Sequence, residues 1–275
     1  MFNLPADKVA SDAIGEQIYA TAAEIFPICR SLTGAGVRET LGCLARHVDI
    51  AVREVPSGTK VFDWTVPREW NIRDAYIKSP SGEKVVDFSK SNLHVLGYSI
   101  PVRASLPLAE LKEHIFTLPG KPDVIPDRTA YAGDQWGFCM PHSRLEELTD
   151  GIYEVVIDSD LKDGSLTYGE IYIPGETKDE VLLSAHICHP SLANDNCSGL
   201  ALLTHLAKLL SDRQNHYSYR IIFAPGTIGA ISWLARNQAS AHLIKHGIVV
   251  SCVGDSGVPT YKRSRQGAAL VDVAF

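Results

Sequence analysis

The sequence predicts an α/β protein, a sheet flanked by helices, with a small β-rich domain inserted into it. Two observations carry that reading. After Gly151, apolar strand-like runs alternate with helix-like stretches, and such alternation implies a layered α/β architecture. Between residues 54 and 150 the texture changes to short segments punctuated by Pro, Gly, Trp and Tyr, the mark of short strands and tight turns. The expected partition is residues 1–53 with 151–275 as the α/β domain and residues 54–150 as the insertion. At 275 residues and 45% hydrophobic, the chain is long enough to bury a sizeable core in one large domain or two modest ones.

Each element has its own signal. Ile14, Ile18, Ala22 and Ile25 recur at helical spacing from Ser11 onward, until Pro27 stops the pattern. A Gly-rich turn ahead of Val37 opens a second helix with Leu41, Leu44 and Ala45 on one side. Inside the insertion, "YIKSPSGEKVVDF" reads as a hairpin turned by Pro80 and Gly82, and "PLAELKEHIFTL" as a helical interruption. Beyond Gly151, "YEVVIDSDL" and "LTYGEIYIPG" alternate apolar with polar residues and read as a hairpin across the "KDGS" turn, followed by the buried strand "EVLLSAH". Leu200, Leu203, Leu206 and Leu210 then line one face of a helix. "YRIIFAP" is a buried strand, "GAISWLARNQ" a helix, "GIVVSCVGDSG" a further buried strand, and "AALVDVAF" reads as the start of another.

Composition excludes several classes. The net charge of −6, with Lys and Arg scattered, provides no basic stripe to neutralise phosphates, so nucleic acid is not an expected partner. No run approaches the ~18 apolar residues that span a bilayer. The first ten residues lack the basic start and apolar centre of a secretory signal, so membrane is not expected and the default location is the cytoplasm. Six cysteines (29, 43, 139, 188, 197 and 252) form no CxxC pair and no disulfide rhythm, consistent with buried thiols in a reducing compartment.

The chemistry concentrates in "SAHICHPSLANDNCSG", residues 184–199. His186 ends an apolar strand, so its ring emerges at a carboxyl end of the sheet, where open α/β folds place ligands. Asp195 stands just ahead of a helix that Asn196 or Ser198 is suited to cap. An imidazole and a carboxylate on two rigid element ends suit a borderline cation such as zinc. The plainer alternative, which spacing alone favours, has His186 bonded to backbone and Asp195 itself as the cap. His189 is a weaker candidate: HxxH outside a helix fixes no common face, and Pro190 puts His189 in a turn. Strand alternation sets Cys188 on the side of His186, yet a buried inert thiol is the better reading. Asp255, in "SCVGDSG", repeats the strand-end geometry, and alone it reads as a turn aspartate.

"LLSAHICHPSLANDNCSGLALLTHLA", "YRIIFAPGTIGAISWLA" and "VGDSGVPTYKRSR" resemble the aminopeptidase-like proteins related to the zinc-dependent M28 peptidases, a family often labelled a domain of unknown function. "FPICRSLTGAGVRETL", "EVPSGTKVFDWTVPREWNIRDAYI", "SNLHVLGYSIPV" and "DQWGFC" are similar to the family's N-terminal region with its inserted domain. The resemblance implies a three-layer zinc-peptidase-like (phosphorylase/hydrolase-like) mixed sheet flanked by helices. It also implies an aminopeptidase-like hydrolase acting on a peptide or amide bond beside a free amino group, with a small peptide or amino-acyl substrate; self-association into a homo-oligomer stays open. His186 matches the family's first histidine, Asp195 its bridging aspartate and Asp255 its later aspartate. The bridging aspartate is often followed by a cis peptide. One zinc ion is implied on these three ligands, two in a complete site.

Two departures stand against catalysis. The family's Glu-Glu position falls after "YRIIFAP", where this chain has Gly226 and Thr227, neither able to take a proton from water. The nearest acidic residues in sequence are Glu170 and Glu176. The family also continues past Phe275, through the last histidine ligand. A catalytically inactive binding or scaffold protein of the same fold is therefore the alternative. Elsewhere, Trp64, Trp70, Trp136, Tyr98 and Tyr131 suit a core better than a groove. Cys29 beside Arg30 reads as structural, and Pro141 argues against a Cys139–His142 dyad.

Overall fold

The computed structural model describes residues 8–131 and 133–274. Helices α1 (Lys8–Ile25) and α2 (Ala35–Leu44) come first, then strand β1 (Ala51–Pro56). Strands β2 (Glu69–Lys78), β3 (Lys84–Asp87), β4 (Val102–Pro107) and β5 (Ile152–Lys162) follow, among short turns and helical pieces. The chain continues through β6 (Ser165–Ile173), β7 (Glu180–His186), α3 (Gly199–Ser211), β8 (Ser218–Ala224), α4 (Ile228–Arg236) and β9 (Ile244–Val249).

Two principal sheets result. The five-stranded sheet has the order β1-β6-β8-β7-β9, with β1, β6 and β8 antiparallel in sequence and β7 parallel to both β8 and β9. It is a mixed sheet, as the resemblance implied. Strand alternation divides its side chains between two faces. Ile171, Ile173, Leu183, Ala185, Ile221 and Phe223 pack with Ile25, Leu41, Leu44, Leu200, Leu203 and Leu210, so α1, α2 and α3 cover one face. Tyr168, Ile222 and Ala224 meet Ile228 and Trp233 of α4 on the other. Helices on both sides make three layers.

The second sheet, order β3-β2-β5-β4, is antiparallel and closes over its own core of Trp70, Ile77, Tyr98, Leu111, Phe138, Tyr153 and Val155. The "YIKSPSGEKVVDF" hairpin forms as expected, with Tyr76 opposite Asp87 and Ile77 opposite Val86. Trp70 and Tyr98 are core residues: the Trp70 indole donates to the Ser99 carbonyl at 2.9 Å, and the Tyr98 hydroxyl lies 2.6 Å from Thr33 Oγ1.

The structure departs from the sequence reading in three places. β5 and β6 do not form a hairpin. Glu69 of β2 pairs with Lys162, whereas Ser165 pairs with Pro56 of β1, so the chain crosses from one sheet to the other at Asp163-Gly164. Alternation fixes which side chains share a face; it does not choose the neighbouring strand. Second, the strand drawn through "GIVVSCVGDSG" starts earlier, at Ile244, and ends at Val249, although Val250 N still donates to Ser184 O. Third, Leu270–Ala274 is a short helix rather than a strand, because the Asp272 carboxylate gathers Ala269 N, Ser264 N, Ser264 Oγ and Tyr261 OH around itself. Phe275 lies outside the described residues, as does the start of the chain examined for a leader.

Candidate metal centre

Because β8, β7 and β9 run parallel, their carboxyl ends open along one edge of the sheet. His186 is the last residue of β7, opposite Ala224. The turn through Pro190 then folds His189 back, and the two imidazole centroids lie 4.8 Å apart at 66°. Asp195 arrives in the irregular turn Ala193–Ser198 that leads into α3, with its Oδ1 2.6 Å from His186 Nε2. The Asp195–Asn196 peptide is cis, as the resemblance implied. Ligand atoms of His186, His189 and Asp195 all lie within 4.8 Å of one another, and each residue is half-buried. Two imidazoles and a carboxylate suit zinc, whose tetrahedral ligand atoms stand about 3.3 Å apart at bonds of ~2 Å. A contraction of about an ångström or so would bring this set around one ion with a position left open.

Neighbouring groups hold the cluster in place. Buried Asn196 donates from Nδ2 to the Val250 carbonyl at 3.1 Å and lies 3.4 Å from His186 Nδ1, while its Oδ1 accepts from Gly199 N at 3.1 Å. It therefore caps α3 and orients the histidine together. Arg30, only 2% exposed, donates from Nε to the His189 carbonyl at 2.9 Å and from Nη2 to the Pro190 carbonyl at 3.2 Å and Cys197 Sγ at 3.1 Å. It also donates to the Ile25 carbonyl, so one guanidinium ties the histidine turn to the end of α1. Nothing in "PICRSLTG" shows such a role, since the carbonyls it holds lie about 160 positions away. Burial and the adjacent His189 lower the His186 pKa, and the Asp195 hydrogen bond works the other way. An imidazole easily kept neutral is ready to donate a lone pair. Burial raises the Cys188 thiol, whose sulfur accepts from Gly226 N at 3.1 Å, in keeping with an inert role.

Of the three residues matched to family ligands, the structure brings His186 and Asp195 together, adds His189, and leaves Asp255 outside the cluster. Asp255 is exposed, five residues past Val250, and its carboxylate accepts from Asn194 Nδ2 at 3.1 Å and Gly257 N at 2.7 Å. That is the ordinary turn aspartate, and its cause is the early end of β9. The signal for His189 was its HxxH spacing, discounted because a turn fixes no face; here Arg30 fixes it. Gly226 and Thr227 follow β8 at the same sheet edge. Glu170 is bound by Arg220 and the Trp233 indole, and Glu176 is exposed beside His216, so neither serves the site. His142 pairs with Thr117, Cys139 is buried with its pKa pushed up to about 12, and burial likewise carries Cys29 to about 12, so neither thiol is poised as a nucleophile.

Comparison with known proteins bears on this architecture. The model of the family described as "Domain of unknown function (DUF4910)" matches residues 19–275. The chain belongs to that family. A Clostridium acetobutylicum relative of this DUF4910 chain, described as a "Putative polysaccharide biosynthesis protein with aminopeptidase-like domain", is 53% identical over 262 residues, which are 95% of this chain and 60% of the relative. The DUF4910 chain thus spans about 60% of that protein's length. A solved structure from the same organism agrees at TM-score 0.93 and 53% identity, covering 96% of this chain and 62% of the other. More distantly, BSAP, a zinc aminopeptidase from Bacillus subtilis, aligns at TM-score 0.58 and 12% identity over 87% of this chain and 69% of its own. A peptidase M28 precursor from Shewanella amazonensis aligns at 0.54 and 13%, over 89% and 73%. The fold is that of the zinc aminopeptidases.

Proposed function

We propose that this chain is a zinc-dependent, aminopeptidase-like hydrolase acting on a peptide or amide bond next to a free amino group. One observation carries the reading: His186, His189 and Asp195 converge within 4.8 Å at the carboxyl end of the central parallel strands. When bound there, zinc supplies Lewis-acid polarisation of a carbonyl and an acidified water. The chain's own residues hold and orient it: the two imidazoles and the carboxylate as ligands, Asn196 steering His186, Arg30 fixing the turn of His189. Beside them lies a cavity of about 210 Å³, lined in part by Cys188, His189 and Gly226. That volume favours a small peptide or amino-acyl group. The acidic composition supports such a partner over nucleic acid, and the free cysteines support a cytoplasmic setting. No helix among the described residues is long and apolar enough to cross a membrane.

One observation favours a second reading, a binding module without turnover: Gly226 stands where the resemblance implies a glutamate. Metal analysis of the purified chain, paired with an assay on unblocked dipeptides, separates the two. The hydrolase reading expects stoichiometric zinc and cleavage, both lost in His186→Ala. Zinc without cleavage supports the binding module, and a chain that takes up no zinc refutes the centre itself.

A further inference from the structure

A cavity of about 640 Å³ lies between the end of α1, the start of α2, β2 and the turn that follows β3. Its size is that of a small-molecule site, and Phe26, Ile28, Trp70, Ile72, Phe88 and Leu93 give it an apolar wall. A helix begins in it. The segment "SLTGAG", residues 31–36, is a Gly-rich loop that runs into α2, whose Ala35 and Gly36 line the cavity. Gly34, at φ +103°, stands at the N-cap and supplies no side chain to cap the helix. Ala35 N donates to Asn71 Oδ1 at 2.8 Å, and Gly36 N is the next of the donors that a helix start leaves without an intrahelical partner. A Cβ on Gly36 would stand 1.9 Å from the Cys29 carbonyl oxygen and 3.3 Å from Arg30 Cα, so glycine is what lets α2 start against the turn that carries Ser31.

Ser31 is an independent sign. It is only 7% exposed and stands where this cavity adjoins the one beside His189, lining both. Its hydroxyl has no hydrogen bond among the described residues. Of the side-chain atoms described, Asp160 Oδ1 alone is both sealed from solvent and unpartnered, so Ser31 Oγ opens into the cavity space. Lys90, exposed on the turn after β3, lines the same cavity and enters no ion pair among the described residues. Glu39, also exposed, is the carboxylate in the lining.

We infer that this cavity binds a small phosphate monoester, with its phosphoryl group at the start of α2 and its organic body against the apolar wall. The helix start supplies N–H donors and the positive end of its dipole, Ser31 a hydroxyl and Lys90 a charge, while Glu39 opposes. Donors of three kinds suit a tetrahedral group with several acceptor oxygens better than a planar carboxylate. The site is separate from the metal ligands and does not depend on turnover.

Titration calorimetry of the full chain with inorganic phosphate, acetate and phenyl phosphate, at ionic strength matched with sodium chloride, tests it. Phosphate is expected to bind, acetate more weakly, and phenyl phosphate about tenfold more tightly than phosphate, since its ring has an apolar wall to cover. Ser31→Ala is expected to weaken phosphate binding about tenfold and Lys90→Ala about threefold, while Glu39→Gln tightens it. Lys121→Ala, an exposed lysine outside the lining, is the control for lost charge. His186→Ala is expected to bind phosphate as the parent does. Binding no stronger than that of chloride overturns the site, as does unchanged affinity in Ser31→Ala, or a loss in Lys90→Ala no greater than in Lys121→Ala. Lys90, on the surface, keeps the test open should Ser31→Ala not be recovered. Loss of phosphate binding in His186→Ala overturns it by seating the anion at the metal centre. Acetate bound as tightly as phosphate overturns the phosphoryl assignment, and phenyl phosphate bound no tighter than phosphate overturns the seat of the organic body.

Discussion

Glu69, 6% exposed, shows what a single side chain contributes away from the centre. Burial opposes its ionisation, but hydrogen bonds from Arg38 at 2.5 Å, from Ser165 N at 3.0 Å and from Asn71 at 3.1 Å outweigh that and set its pKa at about 2. A carboxyl depressed below its usual ~4.3 contributes stability that is present above that value and lost as pH falls toward the folded-state pKa. Glu69→Gln is therefore expected to cost about 1–3 kcal/mol at neutral pH, because Arg38 keeps only the more exposed Glu54 at 3.6 Å as a charged partner. The gap between parent and variant should close in thermal melts taken from about pH 4.5 down to about pH 2. A gap that widens on acidification would refute the pairing. At this scale the sequence was informative where a residue ends an element: His186 and Asp195 stood out through strand-end and helix-start position. Arg30 did not, since a guanidinium whose partners are distant backbone carbonyls leaves no local pattern.

The start of α3 is where packing of an element governs the centre. A side chain at Gly199 would put its Cβ 2.4 Å from Asn196 Oδ1 and 2.7 Å from the Val250 carbonyl. Alanine gains about 1 kcal/mol of helix propensity over glycine, but a backbone carbonyl cannot swing aside, so the clash wins. Gly199→Ala is expected to lose about 1–3 kcal/mol in denaturant unfolding and, because Asn196 steers His186, to weaken zinc uptake measured by equilibrium dialysis. Unchanged zinc affinity would show that Asn196 does not orient the ligand. Helices and buried strands were legible because their periods are local: Leu200, Leu203 and Leu210 do line the buried face of α3. Strand partners were not. The same alternation in β5 and β6 served two different sheets, and the length drawn for β9 carried Asp255 to a strand end it does not occupy.

For the molecule as a whole, the centre joins two parts of one sheet edge, and a cation that binds only the folded form stabilises all of it. At a free zinc concentration about 100-fold above Kd the gain is about 2.7 kcal/mol, which for a chain of this size raises Tm by about 5–10 °C. Calorimetry with and without zinc should show that rise in the parent and none in His186→Ala; an equal rise in both would place the metal elsewhere. The three-layer architecture was readable from the strand–helix alternation and the long motifs, whereas the lining of one cavity by Asp127 and Arg128 together with His189 and Gly226 depends on how two sheets pack.

That packing has a simple geometric origin. Pro56 faces Ser165 across one antiparallel pair, and Ser57 N donates to the Gly164 carbonyl at 2.9 Å, so the whole excursion between them hangs from the tip of a single ribbon. The register of that ribbon is set outside the excursion, from Ala51 opposite Glu170 to Pro56 opposite Ser165. Substitutions within the excursion can thus remodel one wall of the cleft, provided Asn92 is kept, since its Oδ1 accepts from Ser191 N at 3.0 Å and so steadies the turn that carries His189.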